Sequence, residues 1–321
     1  MSTLEDVARL AGVSKATASR ALSKPELVAA ATIARVLRAA EELHFAPSRT
    51  ATALASGRTG VIAMVVPTLE NQFFTPIIQG AQDRADAAGY LLTVASTAFL
   101  EDKDVEQFAR LVPQVDGFLL AAPRGKDRFV EPACKFKPTV LIDREIEGVP
   151  SVVADSATGF AELALRMVAQ GHTHIALVGG PGRSWQNLRR VAHVIEALRG
   201  KAALTVLGPH RSTFAAGVGV VNEILTSGAT AVISYSASLS TGIMFGLQSR
   251  GVTHLVVSAD RGVADAVGAE NVPVLEVDGL ELGRQAMDTL LARLDATPGG
   301  EIPRLRLPVS VEWDLGEPGA A

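Results

Sequence analysis

From Gly60 onward short apolar runs alternate with amphipathic stretches, and no other feature of the chain constrains its fold as strongly. Strand candidates fall at 61–66, 91–96, 117–121, 139–142, 152–154, 174–178, 231–234 and 254–258. Helical periodicity occupies 73–88, 101–112, 157–170, 185–199, 214–227, 238–250 and 279–294 between and after them. Regular βα alternation yields parallel sheets with helices on both faces, because each strand must return over the sheet before it can pair in the same direction. Eight or more strands divide more comfortably into two sheets than one. The expectation is an α/β body of two lobes, with ligands held between them at the carboxyl ends of the strands. Aromatic residues make up only 5% of the chain, so Ala, Val, Leu and Gly must supply close helix-on-sheet packing.

The first sixty residues follow a different pattern. Thr3 with Asp6 three places later is a capping signature for a short helix reaching about Ala11, with Val7, Ala8 and Ala11 inward. Gly12-Val13 breaks it, and Ser14 caps a second helix over 15–22 in which Ala18, Ala21 and Leu22 share one stripe while Lys15, Ala16, Ser19 and Arg20 face out. A third amphipathic helix spans about 30–44, with Ile33, Val36, Leu37, Ala40 and Leu43 at helical spacing. Two short helices joined by a glycine-bearing turn form a helix-turn-helix, whose second helix fits the DNA major groove. Charge agrees: residues 1–59 carry eight Lys/Arg against five Asp/Glu, a net +3 that leaves −7 for the remainder. A basic head on an acidic body suits a polyanionic partner at one end. The expected boundaries are a DNA-binding head at 1–47, a linker at 48–59 and a body at 60–321, whose chain crosses between lobes near 145–155 and 275–282.

Other functions find little support. A single cysteine, Cys134, allows no intrachain disulfide. No basic, apolar leader opens the chain and no apolar run reaches the roughly 20 residues of a membrane helix, so a soluble cytoplasmic protein without membrane contact is expected. His172-Thr173-His174 lacks a third metal ligand, and Gly179-Gly180-Pro181-Gly182 lacks the spacing of a phosphate or dinucleotide loop. No catalytic constellation emerges, so the expectation is a non-enzyme with neither metal nor cofactor.

Residues Thr3-Leu4-Glu5-Asp6-Val7-Ala8-Arg9-Leu10-Ala11-Gly12-Val13-Ser14, followed by Thr17 and Ser19-Arg20, resemble the N-terminal signature of the lactose/galactose-repressor (LacI) family. Ala40-Glu41-Glu42-Leu43-His44-Phe45-Ala46-Pro47 resembles the end of that family's third helix, and Val61–Pro67 its first regulatory strand. The resemblance implies base contacts from Lys15, Ala16 and Arg20 and phosphate contacts from Ser14, Thr17, Ser19 and Ser23. It implies that the linker becomes helical on operator, with Leu54 wedged into the minor groove and Arg49 nearby. Thr52 stands where an Arg is common. The body would resemble periplasmic sugar-binding proteins, with Phe73, Phe74, Asp143, Arg190, Ser236 and Asp260 lining an effector site. A homodimer would bind a pseudo-palindromic operator, and a sugar-like effector closing the cleft would alter hinge spacing; repression is the family's commoner output. Whether dimers pair into tetramers stays open.

Departures concentrate in the second lobe. Ser236-Ala237 replaces the usual Asn-Asp, His193 a usual Gly, and Val277-Asp278 a usual Gln-Pro. Two alternatives therefore stand beside the main reading: a sugar-binding protein without DNA function, and a regulator whose pocket has lost its effector.

Overall fold

A computed structural model describes residues 2–23, 27–45, 57–257, 272–295 and 302–313. They fall into two compact units divided after Gly60.

The first unit holds α1 (Leu4–Ala11), α2 (Lys15–Ser23) and α3 (Ala30–Glu42). The capping box at Thr3 and Asp6 forms reciprocally. Gly12 ends α1 at φ 63°, the left-handed conformation that costs glycine least. The core is built from small side chains: Val7, Ala8, Ala11, Ala18, Ala21, Val36, Ala39 and Ala40 are all buried. One expectation fails. Leu37 is 52% exposed, and Ala39 takes the inward place. At about 100° per residue, Val36, Ala39, Ala40 and Leu43 cluster on one arc, and Leu37 lies at its edge.

The second unit contains two parallel sheets and a small antiparallel ribbon. The first sheet has the order β11-β5-β4-β3-β1-β2, from β1 (Val61–Val66), β2 (Leu91–Ser96), β3 (Gly117–Ala121), β4 (Thr139–Ile142), β5 (Ser151–Ala154) and β11 (Arg304–Leu307). Its inner strands are buried on both faces, as parallel strands between helical layers must be. One face packs against α4 (Phe74–Ala87) and α11 (Gly279–Asp295). The other packs against α5 (Asp102–Ala109) and α6 (Asp127–Cys134). The second sheet has the order β7-β6-β8-β9, from β6 (His174–Val178), β7 (Ala203–Leu207), β8 (Ala231–Ser234) and β9 (Leu255–Val257). Helices α7 (Ser156–Ala169) and α8 (Trp185–Leu198) cover one face, and α9 (Phe214–Ser227) with α10 (Ala237–Gln248) the other. Strands β10 (Val274–Glu276) and β12 (Ser310–Glu312) pair antiparallel beside the second lobe.

This connectivity makes the chain pass between lobes three times. It leaves the first sheet after β5, returns between β10 and α11, and leaves again between β11 and β12. The last passage has no counterpart in the sequence reading, which also missed α6, β7, β10, β11 and β12. The reasons are local: α6 is short and carries Pro132 inside it, β7 and β11 are edge strands without a fully buried side chain, and the ribbon strands span three residues each. The His172 and His174 rings each lie 2.8 Å from a threonine hydroxyl, those of Thr230 and Thr205. Among the described residues no helix is long and apolar enough to cross a membrane.

Candidate functional site

Two places in the molecule concentrate chemistry. In the head, burial of Ala18 and Ala21 turns Lys15, Ala16 and Arg20 to solvent, and helical spacing puts these three with Ser19 on one arc of α2. Ser14 Oγ accepts the Thr17 backbone N–H at 3.1 Å and lies 2.8 Å from Thr17 Oγ1, so both hydroxyls are engaged in capping α2. Ser19 is half-buried. Lys15 Nζ lies 3.6 Å from Glu5 Oε2 with both side chains mostly exposed, a pairing weak enough to be exchanged for a nucleic-acid acceptor. The Ser23 side chain, Arg49 and Leu54 fall outside the described residues.

In the body, a cavity of about 60 Å3 lies between the lobes, at the carboxyl ends of strands from both sheets. Phe73, Phe74, Asp143, Arg190 and Ser236 all line it; Asp260 falls outside the described residues. Phe73 and Phe74 meet edge to face with centroids 5.6 Å apart, Phe74 being buried and Phe73 partly so. Asn71 Oδ1 accepts the Phe73 N–H at 3.2 Å, which sets the entry into α4.

Asp143 follows β4 at φ 54°, and Ala122 follows β3 at φ 42°. Both are non-glycine residues in the left-handed region, and both line the cavity. Such backbone strain persists only where surroundings enforce it. Here Arg144 does part of that work: it donates to the carbonyls of Pro123 and Gly125 and pairs with Asp127, clamping the loop after β3. The Asp143 carboxylate is 2% exposed, and its Oδ1 accepts the Ala154 N–H at 2.9 Å and Gln186 Nε2 at 2.8 Å. Among the described residues nothing donates to Oδ2. Burial raises the carboxyl's pKa above its ordinary 3.8, against the lowering pull of the Ala154 N–H, Arg190 and Gln186. The folded protein therefore holds this proton more tightly than the unfolded chain, and stability falls as pH rises through the interval above 3.8. Asp143→Asn should accordingly raise the melting temperature at pH 7, an effect that shrinks as the pH is lowered toward 4. A melting temperature below wild type at pH 7 would contradict this.

Arg190 enters from α8. Its Nε donates to Ser156 Oγ and its Nη1 to the Tyr235 carbonyl, both at 2.9 Å. The guanidinium sits 4.7 Å from the Phe160 ring centroid and 4.9 Å from that of Tyr235. Burial lowers its pKa, opposed by Tyr235 and Asp143; it remains a cation at any physiological pH. Two of its five donors are accounted for, and no described carboxylate lies within ion-pair distance. Ser236 Oγ is buried and without a hydrogen-bond partner among the described residues. The Tyr235 ring packs over Gly180: its hydroxyl lies 3.0 Å from Ser184 Oγ, and a Cβ on Gly180 would come within 2.3 Å of the ring. Only glycine leaves room for it there.

Three polar groups with unspent hydrogen-bonding capacity thus converge on a cavity walled by aromatic and aliphatic side chains, as small-ligand sites commonly are. Gln186, Tyr235 and Phe160 were absent from the sequence reading. Gln186 had a usable signal, since it stands one helical turn before Arg190 on the same face. Tyr235 directly precedes Ser236. Phe160 reads as an ordinary core residue of α7, and nothing in the sequence separates it from its neighbours.

Comparison with known proteins agrees with this organisation. Residues 3–48 match the family of bacterial regulatory proteins of the lacI type. Residues 59–304 match the family of periplasmic binding proteins and sugar-binding domains of the LacI family. The chain is 28% identical over 315 residues to the HTH-type transcriptional repressor PurR of Vibrio parahaemolyticus, covering 92% of each chain. It is 32% identical over 186 residues to the ribose operon repressor of Escherichia coli K12, covering 56% of each. Its fold matches that of the Lac repressor dimer bound to operator and the anti-inducer ONPF, with a TM-score of 0.84, 24% identity and 97% of each chain covered. With a helix-turn-helix at its start and a two-lobed ligand-binding fold over most of its length, the chain belongs to the LacI family of DNA-binding transcriptional regulators.

Proposed function

We propose that α2 reads operator sequence through Lys15, Ala16 and Arg20, and that a small polyhydroxylated effector, a sugar or sugar derivative, binds in the interlobe cavity and changes operator affinity. The observation that carries the effector half is the convergence of Asp143, Arg190 and Ser236 on one buried space. A carboxylate that accepts hydroxyl protons, opposite a guanidinium that donates, orients a diol, and the flanking phenyl rings suit its apolar face. The reading head rests on the exposed arc of α2. Lysine and arginine donate to guanine O6 and N7 in the major groove, while Ala16 offers only a methyl contact.

Phosphate contacts from Ser14, Thr17, Ser19 and Ser23 would fix register without specifying sequence. Because the Ser14 and Thr17 hydroxyls share one proton between them, the other O–H of the pair and the backbone N–H groups at the N-terminus of α2 are what they could offer a phosphate. Arg49 and Leu54 belong to the linker, where Leu54 would enter the minor groove and kink the duplex. The chain would act as a homodimer with its two heads about one helical turn apart on a pseudo-palindrome. Coupling of about 1–3 kcal/mol between cavity and operator suffices for a several-fold to roughly hundred-fold switch.

The test has two parts. Selection from random duplexes should return a palindrome bound with an affinity that falls steeply as salt rises. A thermal-shift panel of monosaccharides, sugar phosphates and nucleosides should then return a stabilising compound that alters binding to that palindrome. Enrichment of no sequence would overturn the reading head. A sequence-specific protein stabilised by no member of the panel would overturn the effector assignment.

A further inference from the structure

We infer, on the reading of the cavity as an effector site, that the effector carries an oxyanion group, a phosphate or a carboxylate, and that Arg124 and Arg211 form a subsite for it at the cavity rim. Arg124 stands in the loop after β3, two residues past Ala122, which lines the cavity. Its backbone N–H and that of Gly125 both donate to the Ala98 carbonyl at 3.1 Å. Ala98 follows β2, and the strand order β3-β1-β2 puts β1 between the two. The loop after β3 therefore reaches over the carboxyl end of β1, where Glu70 directly precedes the cavity residue Asn71. Arg144 holds the carbonyls on either side of Arg124, those of Pro123 and Gly125. The backbone that carries the Arg124 side chain is thus fixed from both sides.

From the second lobe, Arg211 follows β7, and its Nη2 pairs with Glu70 Oε2 at 2.6 Å with both side chains mostly exposed. That pair brings the loops after β1 and β7 to one rim, and a solvated pair is readily exchanged for a stronger acceptor. Arg124 has no such partner. It is half-buried, and among the described residues its guanidinium makes no hydrogen bond and no ion pair. Burial lowers its pKa, reinforced by Arg211 and opposed by Tyr235 and Glu70; it remains a cation. A half-buried cation without a partner is a cost that the folded chain leaves uncompensated. Two arginines beside one glutamate leave a positive charge in excess at the rim, and Arg190 adds another inside the cavity. Burial disfavours the charged form of Asp143, the carboxylate that lines the same cavity. Among the described residues the balance over the opening is therefore positive. Guanidinium forks pair with phosphate and carboxylate oxygens more strongly than with neutral hydroxyls. A ligand ring between Phe73 and Asp143 would meet this rim with a charged substituent directed past Ala122 and Asn71.

Calorimetry on the full-length chain with matched compounds tests the subsite: ribose against ribose 5-phosphate and ribonate, and glucose against glucose 6-phosphate and glucuronate. An anionic member should bind roughly tenfold or more tightly than its neutral parent, and which anion does so distinguishes phosphate from carboxylate. Arg124→Gln should abolish that preference and leave the affinity for the parent nearly unchanged, whereas Arg124→Lys should keep part of it. Arg211→Gln should reduce it by a smaller factor, because that side chain is mostly exposed. A neutral sugar bound as tightly as its anionic partners, or a preference intact in Arg124→Gln, would overturn the subsite and leave the effector site standing. If no sugar binds, the effector reading falls and inorganic phosphate decides the subsite by itself. Increasing phosphate at constant ionic strength should raise the melting temperature of wild type by more than that of Arg124→Gln. Equal shifts would remove Arg124 from any anion site.

Discussion

Arg190→Ala should weaken effector binding by at least about tenfold, and by up to about a hundredfold for each hydrogen bond lost to the ligand. The size follows from how the guanidinium is held. Nε and Nη1 are fixed by Ser156 and the Tyr235 carbonyl, and the Phe160 and Tyr235 rings flank the group. The remaining donors are thus pre-aimed, and the ligand spends little entropy in organising them. Alanine removes those donors and leaves the Ser156 hydroxyl and the Tyr235 carbonyl short of a partner. It also removes a buried cation, whose desolvation cost offsets part of the lost contacts, so the loss of stability should be much smaller than the loss of affinity. Arg190→Lys should fall between wild type and alanine, because it keeps the charge but not the planar fork. Calorimetry with the compound found in the thermal-shift panel measures the affinity, and operator binding without effector should be unchanged. An unaltered dissociation constant would remove Arg190 from the binding surface.

The second large effect concerns DNA. Arg20→Ala should cost about 1–3 kcal/mol of specific operator binding, roughly five- to a hundred-and-fifty-fold, and relax the preference at one base pair of each half-site. Non-specific duplex binding should lose much less, since a single positive charge is removed from a head that carries several. Lys15→Ala should act in the same direction but less strongly, because a lysine donates as a point charge and already spends part of its time near Glu5. Fluorescence anisotropy with selected and scrambled duplexes separates the two effects. Equal losses on both would mean that Arg20 contacts only phosphate.

Much of this organisation was legible in the residues themselves. The Thr3–Asp6 capping box, the left-handed turn at Gly12 and the inward alanines of α2 are local devices, and local devices survive into the fold. The strands of the two parallel sheets that lie between helices announced themselves as apolar runs, because burial on both faces leaves no room for polar alternation. Strand β11 was hidden because it alternates with arginine and three of its four side chains are exposed, whereas β7 is as apolar as the edge strand β2 and burial alone does not explain why it was missed. The inward assignment of Leu37 failed because spacing alone does not say where the centre of a narrow stripe lies. At the cavity, residues expected from resemblance came together, whereas Gln186 and Tyr235 depend on how the lobes meet. No single segment encodes that meeting; the Gln186–Asp143 bond joins residues 43 positions apart.

Methylation interference on the selected palindrome probes most directly whether α2 lies in the major groove with Lys15 and Arg20 at base edges. Guanines premethylated at N7 should be depleted from the bound fraction within each half-site, and one of those depletions should vanish for Arg20→Ala. Uniform recovery of methylated guanines in the bound fraction, or a pattern indifferent to Arg20, would contradict the assignment of this helix as the reading element.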